Sequence, residues 1–392
     1  MKMLEIIDAY YPNIDGAISV AKNFTEYLNH YGTAAIAVPK AAKKAHYEDK
    51  ESFEVVRCLS GKAPEHYRSG FPMLDRKFKK KLKSMDFDII HVHSPFTMGR
   101  FGLWLARKKN IPLVFTLHTK YKEDFIRSLH GFKPFIWFAM RYIKKVFLKA
   151  DSVWTVSNKS CETLREYGYK GDIYVARNGT DFAYPDNAED LIKEVNQKHG
   201  LENKKNVLLF VGRMALYKNI KLICDSIKIC KDKGLDFTML FVGGGFDIDK
   251  IKDYCKEIGV YDRCVFAGEV RDRESIQGYY LRGDLFLLPS LFDMGPITKE
   301  EAAAHKTPTL LVEDSCSAER VIDGENGYIS LNDANIYADK IIEICSDPEK
   351  RTQIGENAYI TLYRNWDTVA KEVIEKYQEI IDDYHKTKGE KK

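Results

Sequence analysis

Two acidic residues eight positions apart, Asp293 and Glu301, stand in the stretch PSLFDMGPITKEEAAA at residues 289–304. The apolar run at 285–288 before it reads as a buried strand, and Glu301 with the alanines after it favours helix. An acid in the first turn of a helix suits the positive end of the helix dipole. A carboxylate pair at such a terminus can grip several hydroxyls while the helix amides face an anion. A nucleotide sugar offers both, hydroxyls on its sugars and a charged diphosphate between them. A surface loop with two solvated acids would carry the same residues, so the pattern needs partners.

Cations supply one partner. Arg213 and Lys218 follow the apolar run 207–211, and Gly212 between them permits a tight turn. Positive groups at the C-terminal end of a strand lie where open α/β sheets bind ligands. There they would stabilise charge developing on a departing diphosphate. Gly243, Gly244 and Gly245 form a strand-end turn that admits a phosphate or a base, or is a plain turn. His118 ends another strand run in TLHT, where a neutral imidazole could bond a sugar hydroxyl. His91 and His93 are two apart on a strand and share a face. With His118 they could ligate a metal, yet no carboxylate stands at a recognisable ligand spacing, so no metal or other cofactor is expected.

These residues need a frame, and the chain supplies one twice. Short apolar runs at 3–7, 34–38, 55–59, 89–92, 113–117, 153–156 and 173–176 alternate with helical patterns. A second set lies at 207–211, 238–242, 265–266, 285–288 and 309–312. Near-continuous apolar strands between helices imply parallel sheets covered on both faces. The fold class is therefore α/β, with two doubly wound Rossmann-like domains. The polar stretch 185–205 is the expected boundary, giving domains at 1–184 and 185–365. Residues 366–385 repeat apolar positions every three to four residues, a helix pattern, and the tail KTKGEKK is charged and expected to fray.

Composition narrows the classes. The 392 residues are 44% hydrophobic and 30% charged, as in globular proteins, and the net charge of +4 implies no general polyanion binder. No nucleic-acid partner is expected. The eight cysteines show no CxxC and no zinc-like spacing, so they read as buried thiols of a reducing cytosol. MKMLEIIDAYYP passes directly into a strand pattern without a signal-peptide core, and no run reaches the length of a membrane span. The dinucleotide fingerprint GxGxxG is absent, which argues against a nicotinamide enzyme.

The motifs together resemble the family 4 glycosyltransferases, retaining enzymes of the GT-B fold with two domains facing a central cleft. The resemblance covers nearly the whole chain. It rests on Pro289, Ser290, Asp293, Glu301 and Ala302, on GRMALYK (212–218), FVGGG (241–245), NGTD (178–181) and DGENG (323–327), and on HSPFTMG (93–99) with TLHT (116–119). It implies that Arg213 and Lys218 hold the diphosphate, that Glu301 holds the ribose and that Asp293 meets the sugar hydroxyls. It places Gly212, Gly243, Gly244, Gly295 and Ile297 around the donor, and brings Gly16 in the first loop near the phosphate and the acceptor. It sets His118 facing the donor sugar across the cleft, and folds the terminal helix 366–392 back onto the first domain. Three positions depart from the family pattern: Asp293 stands for glutamate, Met294-Gly295-Pro296 for Gly-Phe-Gly, and Lys306 for a glycine. The shorter Asp293 draws its carboxylate back by about 1.5 Å, and Pro296 removes a backbone N–H. Glu300 reads as a solvated neighbour.

Two stretches are basic and amphipathic. FPMLDRKFKKKLKSM (71–85) sets Lys77, Lys80 and Lys81 among apolar residues, and FKPFIWFAMRYIKKVFLK (132–149) sets Trp137 and phenylalanines among basic ones. Such segments suit an anionic lipid interface, or are a solvated face and a core helix respectively. HSPFTMG with TLHTKYKEDF resembles the diacylglycerol glucosyltransferase branch, whose neighbours include phosphatidylinositol mannosyltransferases. The expectation is a hexosyltransferase acting from a nucleotide diphosphate sugar, UDP-glucose foremost, on a hydroxyl of a membrane glycerolipid at the inner face of the plasma membrane. Alternatives are a soluble acceptor in capsule or exopolysaccharide assembly, and a non-catalytic sugar-nucleotide or lipid-binding relative.

Overall fold

Every apolar run singled out above forms a strand in the computed structural model, which describes residues 1–13, 15–42, 47–62, 68–128 and 131–389. The first sheet holds β1 (Lys2–Ile6), β2 (Thr33–Pro39) and β3 (Glu54–Cys58). A hairpin follows, β4 (Ser60–Lys62) with β5 (Arg68–Gly70). Then come β6 (Ile89–Val92), β7 (Leu113–Leu117), β8 (Ser152–Thr155) and β9 (Ile173–Val175). The order is β3-β2-β1-β6-β7-β8-β9 with all pairings parallel. The second sheet holds β10 (Val207–Val211), β11 (Thr238–Val242), β12 (Cys264–Gly268), β13 (Leu285–Leu288), β14 (Thr309–Val312) and β15 (Tyr328–Ser330). Its order is β12-β11-β10-β13-β14-β15, again parallel throughout.

The central strands β6, β7, β10, β11, β13 and β14 are buried at every position, the pattern of sheets with helices on both faces. Strand order reverses between β1 and β6 in one sheet and between β10 and β13 in the other. Such switch points open a crevice at the C-terminal strand ends. The hairpin and β15 were invisible as apolar runs, because their strands are only three residues long and the hairpin's are polar.

The chain divides into two units, Met1–Asn178 with Trp366–Lys392, and Gly179–Asn365. The division falls at 178/179 rather than at 184/185. Thr180 already belongs to the second unit: its N–H bonds the Arg364 carbonyl at 2.8 Å, and it bridges Asn365. The last helix, Trp366–Gly389, is part of the first unit and buries Trp366, Val369, Val373 and Tyr377. It continues past residue 385, so the start of the expected frayed tail is helical; residues 390–392 lie outside the described ones. All eight cysteines are free thiols, six of them buried, whereas Cys161 and Cys264 are half-buried.

Candidate active site

In the second unit, the site starts from two strand ends that flank the switch point. After β10 the chain passes Gly212 and Arg213 into a 3-10 turn at Leu216–Lys218. After β13 it passes Pro289 and Ser290 to Asp293. The buried Ser290 hydroxyl accepts from the N–H groups of Phe292 and Asp293, both at 3.3 Å, which fixes the second loop. Asn219, in the left-handed region at φ 62°, ties the two loops together by donating to the Pro289 carbonyl at 3.1 Å and to Asn332 at 2.9 Å. Asp247 accepts from the Leu216 N–H at 3.0 Å and so holds the 3-10 turn from the other side. Across this scaffold Lys218 Nζ pairs with Asp293 Oδ1, and Tyr217 packs edge-on to Phe292. The two loops thus bring an expected phosphate-binding cation against an expected sugar-binding carboxylate. Asn219 and Asp247 were not singled out from sequence; Asn in a turn was the only local signal.

The glycines beside this pair are accounted for by packing. Gly243 has φ 137°, and a Cβ there would lie 1.9 Å from the Gly212 carbonyl oxygen. A Cβ on Gly245 would lie 2.3 Å from the Met214 carbonyl oxygen. The β10 and β11 strand ends therefore touch backbone to backbone, helped by Met214 N–H to the Gly244 carbonyl at 2.9 Å. Gly244 faces only the Glu269 side chain and leaves more room.

Glu301 lies in the short helix Ile297–Ala304, after Pro296 and Gly295. Its carboxylate is buried and held on both oxygens: Arg273 Nη1 reaches Oε1 at 3.1 Å and the Tyr280 hydroxyl donates to Oε2 at 2.7 Å. Arg273 is itself seated by Asp181 and lies 3.8 Å over the Phe182 ring. The NGTD segment thus acts through Arg273 on Glu301. Burial and the Glu301 carboxylate push the Tyr280 phenol well above its ordinary range. Glu300 is buried too, contrary to the expectation of a solvated acid, because this helix turns that face inward as well. The departure at Lys306 sits beyond the other end of the helix, away from Asp293. It keeps the left-handed φ, 58°, that a glycine would favour, and its ammonium pairs with Glu356 over the rings of Tyr184 and Tyr359. DGENG builds the turn into β15, with Asp323 accepting from the Ile329 N–H at 2.8 Å.

In the first unit, the strand ends β1, β6 and β7 carry the remaining residues. Gly16 opens the helix Gly16–Leu28, and a Cβ there would meet nothing within 4 Å. Among the described residues, no contact demands this glycine. Asp15 caps the helix by accepting from the Ala17 N–H at 2.9 Å, and its charge acts on His118. His118 is not alone: its Nε2 lies 2.8 Å from His93 Nδ1, and His93 Nε2 lies 2.7 Å from a carboxylate oxygen of Glu5. His91 bonds Tyr377 through Nδ1 and Thr116 through Nε2, the latter at 2.6 Å. Glu5 supplies the carboxylate that no ligand spacing revealed, because it comes from a strand 88 residues away. Every ring nitrogen of His91 and His93 is engaged in a hydrogen bond, so the cluster is connected as a proton network. HSPFTMG has a structural purpose: Ser94, Thr97 and the N–H groups of Phe96 and Met98 all donate to the half-buried Asp8 carboxylate. That carboxylate is pushed up by burial and caps the helix Thr97–Lys109.

The two basic segments differ. In the helix Arg76–Ser84, Phe78 and Leu82 are buried in the core, whereas Met73 and Leu74 just before it are exposed; Lys77, Lys80 and Lys81 are exposed, Lys81 paired with Glu54 at 2.6 Å. The helix Lys133–Phe147 buries Met140, Ile143, Val146 and Phe147 on one side. Its other side, with the residue before it, shows Phe132, Phe135, Trp137 (61% exposed) and Phe138 (68% exposed), beside exposed Lys133, Arg141 and Lys145. Large exposed apolar patches ringed by charge mark protein or membrane contact sites. Among the described residues no helix is long and apolar enough to cross a membrane.

Residues 14–184 match the family described as Glycosyltransferase Family 4, and residues 192–361 match Glycosyl transferases group 1. An alpha-monoglucosyldiacylglycerol synthase from Acholeplasma laidlawii is 26% identical over 405 residues, covering 98% of each chain. A second, from Streptococcus pneumoniae, is 25% identical over 311 residues, covering 77% of this chain and 69% of its own. In fold, the chain is similar to Anabaena Alr3699/HepE solved in complex with UDP-glucose, at a TM-score of 0.76 and 17% identity, covering 97% of this chain and 100% of that one.

Proposed function

The chain belongs to the family 4 glycosyltransferases of the GT-B fold, in the diacylglycerol glucosyltransferase branch, and we propose that it transfers glucose from UDP-glucose, with retention of configuration, to a hydroxyl of a membrane glycerolipid. The meeting of Lys218 with Asp293 at the β10/β13 switch point carries this reading. Each of the two charges answers the other. When a donor binds, the diphosphate replaces Asp293 beside Lys218 and Arg213, and the freed carboxylate takes the sugar hydroxyls. The exchange costs little, because no charge is left unpaired. Glu301, held rigid by Arg273 and Tyr280, accepts from the ribose hydroxyls. Gly212, Gly243, Gly244, Gly295 and Ile297 form the backbone around the nucleotide, and Gly16 and His118 serve the sugar from the first unit. As the glycosidic bond breaks, charge grows on the leaving diphosphate, and the two cations stabilise it there.

The exposed aromatic side of the helix Lys133–Phe147 and the lysines of Arg76–Ser84 support a lipid acceptor reached from a peripheral position on the inner face of the plasma membrane. One group lies in the interface and the other reads its negative charge. Co-sedimentation with anionic vesicles tests this. Binding that falls as salt rises is expected, and indifference of the chain to vesicles at any salt would contradict it.

Asp293→Ala is expected to lower kcat/KM for UDP-glucose by about 10²-fold, within the range found for lost transition-state contacts, without weakening UDP itself. The carboxylate would reach the sugar and not the nucleotide. Steady-state rates with UDP calorimetry separate the two, and an equal loss of UDP affinity would reassign Asp293.

A further inference from the structure

The network beneath His118 is more than a support. Glu5 lies opposite His91 in the β1/β6 register, His93 follows on the same face, and Thr116 and His118 continue that face on and beyond β7. The helix Gly16–Leu28 closes it with Phe24, edge-on to both His91 and His93, and the terminal helix closes it with Trp366 and Tyr377. Glu5, His91 and His93 are fully buried.

The hydrogen bonds leave few ways to place the protons. Tyr377 has one, which it donates to Glu5 Oε1 at 3.2 Å, so His91 Nδ1–H donates to the Tyr377 oxygen and Thr116 donates to His91 Nε2. Two contacts remain, Glu5 to His93 Nε2 and His93 Nδ1 to His118 Nε2, each sharing one proton. If Glu5 donates, His93 carries its proton on Nδ1 and gives it to His118 Nε2, so His118 must carry its own on Nδ1. If Glu5 accepts, both imidazoles carry Nε2–H, and His118 Nδ1 is bare.

We propose that Glu5 and His93 are positioning residues that set the tautomer of His118, holding it at neutral pH as an Nδ1–H donor toward an oxygen of the bound sugar. This rests on the reading that His118 meets the donor sugar. The charged and titratable groups facing Glu5 are His91, His93, His118 and Tyr377, with Asp15 acting on His118 from the first loop. Burial keeps all three imidazoles neutral, with His93 pushed down to about 3. Among the described residues, therefore, no cation faces Glu5. Burial pushes its carboxyl up to about 8, against the opposing hydrogen bond from Tyr377. Loss of the proton shifts the whole chain. The Glu5 O–H breaks as His93 Nε2–H forms, His93 Nδ1–H breaks as His118 Nε2–H forms, and the departing proton leaves from His118 Nδ1.

Nitrogen-15 resonances of the histidine rings, followed from pH 6 to pH 9 in the full chain, read the tautomer directly. His118, assigned by its loss in His118→Gln, is expected to switch from Nδ1–H to Nε2–H with a midpoint near 8. Glu5→Gln cannot ionise, yet its amide can accept from Tyr377 and donate to His93. It should fix the Nδ1–H form across the range and abolish any alkaline fall in kcat. A His118 tautomer that does not change in the unmodified chain, or the same switch in a folded Glu5→Gln, would overturn the proposal. Because the spectra need no substrate, they decide it even if glucose transfer is not found.

Discussion

Lys218→Ala is expected to reduce turnover by about 10²–10³-fold, the loss seen when one preorganised charge-stabilising group is removed. The effect should fall mainly on kcat. Lys218 answers Asp293 within the fold and would answer the diphosphate as the bond breaks, so its contribution is largest in the transition state. The substitution also leaves Asp293 without its cation beside an incoming anion, which raises KM for the donor. Lys218→Arg keeps the charge but not the compact ammonium, and should recover only part of the rate. The fold should survive, since the side chain is partly exposed in a 3-10 turn anchored by Asn219 and Asp247. A Lys218→Ala variant with rates within a fewfold of the unmodified chain would remove the electrostatic role assigned to it.

The double substitution Trp137→Glu with Phe138→Glu is expected to weaken binding to anionic vesicles by about 10²-fold or more. Each large apolar side chain withdrawn from an apolar environment costs about 1.5–3 kcal/mol, and the new carboxylates meet a negative surface. Both residues point away from the core, which the helix fills instead with Met140, Ile143, Val146 and Phe147. Thermal stability should therefore hold while vesicle binding is lost. Lys77→Glu with Lys80→Glu should reduce binding less, and only at low salt, since each lysine near an anionic surface contributes about 1 kcal/mol. Lys81 is a weaker choice because Glu54 already takes its charge. Vesicle binding unchanged by the aromatic pair would assign that face to a protein partner.

Glu5 adds a stability signature. Its folded carboxyl, at about 8, lies above the unfolded value of about 4.5. Between these values the unfolded chain loses the proton and the folded one keeps it, so stability falls as pH rises through that window and levels off above it. Glu5→Gln should remove this slope from denaturant midpoints measured at pH 5 and pH 8.

The frame was legible because parallel strands covered on both faces are near-continuously apolar: β10 and β13 are so throughout, and β6, β7, β11 and β14 each carry a single polar residue. That Lys218 and Asp293 belong to one site was legible through strand ends, since both residues follow such a run, but their direct ion pair was not. What could not be read were contacts made by residues with no local oddity. Glu5 in KMLEI looks like one polar position in a strand, and its partners lie 88 and 372 residues away. Arg273 and Tyr280 sit in a helix whose sequence shows no preference for Glu301, and only the packing of Asp181 and Phe182 turns Arg273 toward it. Amphipathicity misassigned Phe78 and Leu82 for a related reason: a helical period marks an apolar face but not whether protein or lipid covers it.

Nucleotide release by the purified chain separates glucose transfer to a lipid from every other reading. UDP-glucose, UDP-galactose, UDP-N-acetylglucosamine and GDP-mannose would each be offered with and without anionic vesicles containing diacylglycerol. UDP release from UDP-glucose that requires those vesicles and yields an α-glucosyl lipid is expected. Release from another donor, or release that proceeds with soluble sugar acceptors and ignores the vesicles, would contradict it.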